Sequence, residues 1–165
     1  MKKKLVTAAV ALLLPIGMVL ASDPPEVKEG LWSIHRQIID SPGNNKTEST
    51  QTLCRSHAYD QHAQANAKKL MKDCTSVTDT FEGGKHNAEL RCTVAGRVIV
   101  TKEIGTYQSD TAFHSESHST YTPAMGGVTE TTMIMDQKYV GSCPAGMQPG
   151  DMTNADGRVT HLWKH

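Results

Sequence analysis

The stretch CTSVTDTFEGGKHNAELRC, Cys74 to Cys92, decides the fold. Thr75–Phe81 and Asn87–Ala95 read as strands either side of EGGKH, whose glycines supply turn chemistry. A turn centred on Gly83 sets Cys74 opposite Cys92 on the same face. Opposed residues of an antiparallel pair hold their Cα atoms about 4.5–5.5 Å apart, within disulfide reach. That pairing leaves Cys54 with Cys143. In this register Val77 and Phe81 point opposite to Leu90 and Val94, so either the Thr-rich strand Thr75–Phe81 carries a bulge or the register differs. Zinc sites favour close cysteine pairs and redox sites a C-x-x-C motif; the four cysteines form neither.

Stapling suits an exported chain. MKKKLVTAAVALLLPIGMVLASD opens on Lys2, Lys3 and Lys4, continues through a short apolar run, and offers Val19-Leu20-Ala21 before a cut. This reads as a signal peptide over 1–21, with Ser22 as the mature N-terminus. An oxidising compartment, periplasmic or extracellular, preserves disulfides. Removing the three lysines leaves 14 of the 17 basic residues against 17 acidic ones, a charge near −3. There is no basic stripe, which argues against a nucleic-acid partner, and no second long apolar run, so no membrane span is expected after cleavage.

Outward from the hairpin, Gly30–Ile39 and Lys46–Leu53 read as strands joined by the turn formers of DSPGNN. Ser56–Lys72 is the one clear helix. Ser56 caps it, Asp60 lies near its start, and Lys68, Lys69 and Lys72 lie near its end. Tyr59, Ala63, Ala67 and Leu70 or Met71 share one face. Arg97–Tyr107, Asp110–Thr122 and Gly127–Gly141 continue the strand series. The expected fold is α+β and mainly antiparallel. It is a meander of about seven strands, strongly curved or partly closed, with the helix inserted after the second strand. Residues 22–143 form one β-rich domain, and 144–165, rich in turn formers, form a loose C-terminal tail.

The order of motifs carries a resemblance. GLW (Gly30–Trp32) opens the first strand, Cys54 leads into the helix, Cys74 and Cys92 bracket a hairpin, and YVGSC (Tyr139–Cys143) closes the sheet. Over roughly 27–143 this resembles the bacterial secreted family called domain of unknown function 3617. The resemblance implies bacterial export and a β-rich fold. It supplies no activity and no catalytic residues.

Candidate chemistry is sparse. There is no G-x-S-x-G, H-E-x-x-H or phosphate loop, so no enzyme and no cofactor is expected. The function these features favour is a non-catalytic module binding a small ligand or an envelope protein, with Trp32, Met133, Met135 and Tyr139 as possible lining. The alternative is copper or zinc handling, because thioethers suit Cu(I) and imidazoles suit both metals. It requires His114, His118, Met133 and Met135 to converge. His114 and His118 are about 13 Å apart along one strand and cannot chelate alone.

Overall fold

A computed structural model describes residues 25–163. The expected signal peptide and its cleavage site lie outside them. The described chain forms β1 (Gly30–Ser41), β2 (Asn45–Arg55), α1 (His57–Leu70), β3 (Cys74–Glu82), β4 (Lys85–Val94), β5 (Arg97–Ser109), β6 (Ala112–Met125), β7 (Val128–Gly141), β8 (Asp151–Thr153) and β9 (Val159–His161). All the strands join one antiparallel sheet in the order β3-β4-β5-β6-β7-β1-β2-β8-β9. The α+β, mainly antiparallel class and the helix after β2 are as expected. Two details are corrected. The described sheet has nine strands rather than about seven, and it is open, with β3 and β9 at its edges, rather than partly closed.

The two added strands come from the segment read as a loose tail. Each is three residues long, too short to show a period among turn formers. The Cys54–Cys143 bridge, with its Cα atoms 5.6 Å apart, returns the chain to β2. There the Gly150 N–H donates to the Cys54 carbonyl, and Leu53 pairs with Met152.

The hairpin explains its own bulge. Gly83 and Gly84 both hold positive φ, 58° and 77°, the backbone that a two-residue hairpin loop demands. From that loop a regular ladder pairs Phe81 with His86 and Thr78 with Glu89. Carried on unbroken, it would set Cys74 against Thr93. One extra residue at Val77 shifts the register, so Ser76 pairs with Leu90 and Cys74 with Cys92, and those cysteines are bridged. Val77 is exposed. Deleting Val77 therefore removes only the bulge and is expected to preserve the Cys74–Cys92 bridge. Non-reducing peptide mapping checks this; loss or exchange of that cross-link would refute the bulge as the cause of the facing.

The helix reaches from β2, seventh in the sheet, to β3, first. Six inter-strand spacings amount to about 29 Å on a flat sheet, whereas 14 helical residues span about 21 Å. The connection to β3 is a compact turn in which the Cys74 N–H donates to the Met71 carbonyl. A flat sheet would leave the helix short, so the face that carries α1 is concave. One disulfide sits just before the helix and the other just after it. Between them α1 buries only Tyr59, capped by the Ser56 hydroxyl accepting from the Tyr59 N–H. Leu70, read as part of the packed face, is 84% exposed.

The core lies where α1 meets β1 and β2. Ile34, Leu53 and Tyr59 are buried together, with Ala63, Met135, Met152 and Trp163 packed against them. Trp163 contacts Tyr59 and stacks on His62, so the C-terminal segment covers the helix flank. Trp32 is fully buried beside this cluster.

Candidate functional site

Strand alternation sorts the side chains between two faces. Trp32, Ile34, Arg36 and Ile38 of β1 stand on the concave face, and the β1–β7 register adds Tyr139, Gln137, Met135 and Met133 to it. The β6–β7 register sets Ser115 opposite Met135 and Ser117 opposite Met133, whereas His114 faces Asp136 and His118 faces Thr132. His114 and His118 therefore stand on the convex face, with the sheet between them and the methionines. The expected convergence of His114, His118, Met133 and Met135 does not occur, because even and odd positions of paired strands point opposite ways. No group of three His, Cys, Asp or Glu side chains able to hold a metal occurs among the described residues.

On the convex face His114 Nδ1 and Asp136 Oδ1 are 2.8 Å apart, and His118 Nδ1 lies 3.3 Å from the Thr132 hydroxyl. With Lys102, Ile104, Thr106 and Glu116, both histidines border a shallow depression of about 300 Å³. This is a solvated checkerboard of paired charges, Lys102 with Glu89 and His118 with Glu130 among them.

On the concave face Trp32, Met133, Met135 and Tyr139 do share one side, but they do not line an opening together. Trp32 has no exposed surface and meets Tyr139 edge-on at 6.3 Å. Its Nε1–H donates to the Lys28 carbonyl, so it pins the N-terminal segment. Met135 belongs to the core cluster, and Met133 stands half-buried beside it.

The cleft lies beyond them, where the N-terminal segment crosses the first turns of α1. Pro25, Glu26 and Val27 form one wall, His57, Asp60, Gln61 and Gln64 of the helix form another, and Arg55 and Tyr107 close the base around about 140 Å³. Arg55 organises it. Its Nε donates to Asp60 Oδ1 at 3.0 Å, its Nη1 donates to Gln137 Oε1, and its guanidinium lies 4.9 Å over the Trp32 ring. Burial raises the Tyr107 phenol above its ordinary value, partly offset by the nearby Arg55 charge. Tyr107 in turn packs against Phe81 and Phe113. The open cleft surface thus combines an aromatic ring, two carboxamides, an ion pair matched internally, the Glu26 carboxylate and the His57 imidazole. Sequence reasoning missed these residues, because only the folded sheet brings Tyr107 beside the helix start.

His57 fastens the wall. Its Nε2–H donates to the Val27 carbonyl at 2.9 Å, its backbone N–H donates to Glu29 Oε1, and its Nδ1 lies 3.8 Å from Glu26 and 3.7 Å from Glu29. Both ring nitrogens face acceptors, and a neutral imidazole can donate to only one. The hydrogen bond to the Val27 carbonyl is the main influence raising the His57 pKa above 6.5; desolvation comes next and opposes it, and the carboxylates of Glu26, Glu29 and Asp60 each add a smaller upward push. For a raised folded-state value the hold is complete below the unfolded pKa and is lost as pH rises through the folded one. Protection of the Lys28 amide, which donates to the Asp110 carbonyl, is expected to fall as pH rises from about 6.5. His57→Gln should abolish that dependence. Hydrogen exchange corrected for intrinsic rate measures it; identical pH profiles for both proteins would contradict the role of His57.

These features define a class: an open, concave antiparallel sheet crossed by one helix and pinned by two disulfides. The chain belongs to the family described as "Protein of unknown function (DUF3617)", whose model matches residues 27–143. That span includes β1 to β7, α1, both disulfides and all of the cleft but Pro25 and Glu26. No curated protein matches the chain. No helix among the described residues is long and apolar enough to cross a membrane. The disulfides are compatible with a periplasmic or extracellular location.

Proposed function

We propose that the protein is an exported, non-catalytic binding domain that takes a small ligand into the cleft between the N-terminal segment and α1. The observation that carries this reading is the cleft's composition. Arg55 and Asp60 neutralise each other, while the Tyr107 ring and the amides of Gln61 and Gln64 remain to meet a guest. An aromatic face with a few placed hydrogen-bonding groups is the usual make-up of a small-molecule site. Export rests on the signal-like first 21 residues and on the disulfides. A protein partner at the same cleft is the second reading, because the exposed Glu26 and Gln61 rim it.

The test is titration of the isotopically labelled domain with the low-molecular-mass fraction of the bacterial envelope and growth medium, followed by amide and side-chain NMR. Saturable shifts confined to Tyr107, Gln61, Gln64 and Val27, and lost in Gln61→Trp, are expected. Shifts absent from the cleft, or unaltered by Gln61→Trp, would refute the proposal.

A further inference from the structure

A second feature of the concave face lies away from the cleft. Arg36 stands at the middle of β1, flanked by Ile34 and Ile38 on its own strand and by Met135 across β7. Its Nε is buried without a hydrogen-bond partner. The acidic side chains of the same face lie on other rows. Asp40 is about 13 Å along β1 and already accepts from the Thr131 hydroxyl at 2.7 Å. Glu103 of β5 is three strands away, about 14 Å. Arg36 as a whole is half-buried, and an N–H drawn out of water without a bond is costly, so proteins rarely keep one unless something pairs with it. On the β2 side Ser49 pairs with Arg36; on the β7 side the surface is apolar and adaptable, because Ile38 and Met133 are half-buried and thioethers repack readily around a guest.

The geometry points to a binding site for a single-chain anionic amphiphile, its carboxylate on Arg36 and its alkyl chain along Ile38, Met133 and Met135. The fork of an arginine matches a carboxylate with two parallel bonds. A bilayer surface does not fit as the source, because Arg36 stands on the concave face of β1, the sixth of nine strands, far from either edge. The site is independent of the cleft reading, and each is tested by its own probe.

Dodecanoate, dodecanol and phosphatidylglycerol vesicles are the probes, titrated into the full disulfide-bonded domain by calorimetry and by sedimentation. Saturable dodecanoate binding is expected, with dodecanol weaker by about tenfold or more, the usual worth of a charge-assisted bond. Arg36→Met should remove that preference. It should also raise the Tm of the ligand-free protein by about 2–5 °C, because an unpaired, partly buried charge is replaced by an apolar chain of similar reach. Arg36→Lys, which keeps the charge without the fork, should bind at an intermediate level with its fold intact. Several results would overturn the site: no dodecanoate binding, equal binding of dodecanol, a preference that survives Arg36→Met, a lower Tm for that variant, or association with vesicles alone. None of them alters the cleft titration.

Discussion

Replacing Cys54 and Cys143 together by alanine is expected to cost about 4–5 kcal/mol of unfolding free energy. The bridge closes a loop of 89 residues, and the chain-entropy model assigns about that much to a loop near 100 residues. The effect should exceed that of the Cys74–Cys92 pair, whose 18-residue loop is worth about 3 kcal/mol. The longer bridge also carries more structure. It holds β8 and β9 against β2, and with them Met152 and Trp163 against the core. Urea titration of the two double-alanine variants compares them directly. A larger loss for the Cys74–Cys92 variant would contradict this account of what holds the domain together.

Trp32→Ala is expected to cost about 3–5 kcal/mol, the usual range for emptying a buried aromatic site. Trp32 has no exposed surface in a domain with few buried apolar side chains, so the cavity has little around it to collapse. Its loss also strands the Lys28 carbonyl, removes the ring beneath Arg55 and withdraws the edge contact with Tyr139. Trp32→Phe keeps part of the volume but not the Nε1–H donor. It should lose less stability while loosening the Pro25–Glu29 wall of the cleft. Chemical denaturation and hydrogen exchange at Lys28 read the two effects separately. A Trp32→Ala variant within 1 kcal/mol of the parent, well below the expected loss, would refute the core role.

The strands from Gly30 to Gly141 were legible because long strands alternate and their turns contain Gly, Pro and Asn. The hairpin parity conflict at Val77 and Phe81 left a bulge or a different register open, and the structure shows both: a bulge at Val77, and a ladder from Thr78 to the turn shifted by one residue from the register centred on Gly83. β8 and β9 were not legible, since three residues cannot show a period and pairing with β2 needs the Cys54–Cys143 bridge first. Leu70 misled because helical spacing marks a face but not whether the sheet reaches it. The site was less legible than the fold. Trp32, Met133, Met135 and Tyr139 fall on one face, but hydropathy alone could not tell a sealed plug from a wall. The metal quartet failed on parity, a property of the β6–β7 register that neither strand shows alone. Arg36 carried no sequence signal at all. Its interest comes from an unpaired Nε that only the folded sheet creates.

The central claim, an exported domain that holds a small ligand, is tested most directly by native mass spectrometry of the protein recovered without detergent from the exported fraction. The account predicts a chain beginning at Ser22, four hydrogens lighter than the reduced sequence because both disulfides are formed. It also predicts a non-covalent adduct of small-molecule mass that is lost on unfolding. A chain retaining residues 1–21, or one always recovered bare and unchanged by the envelope fraction, would contradict it.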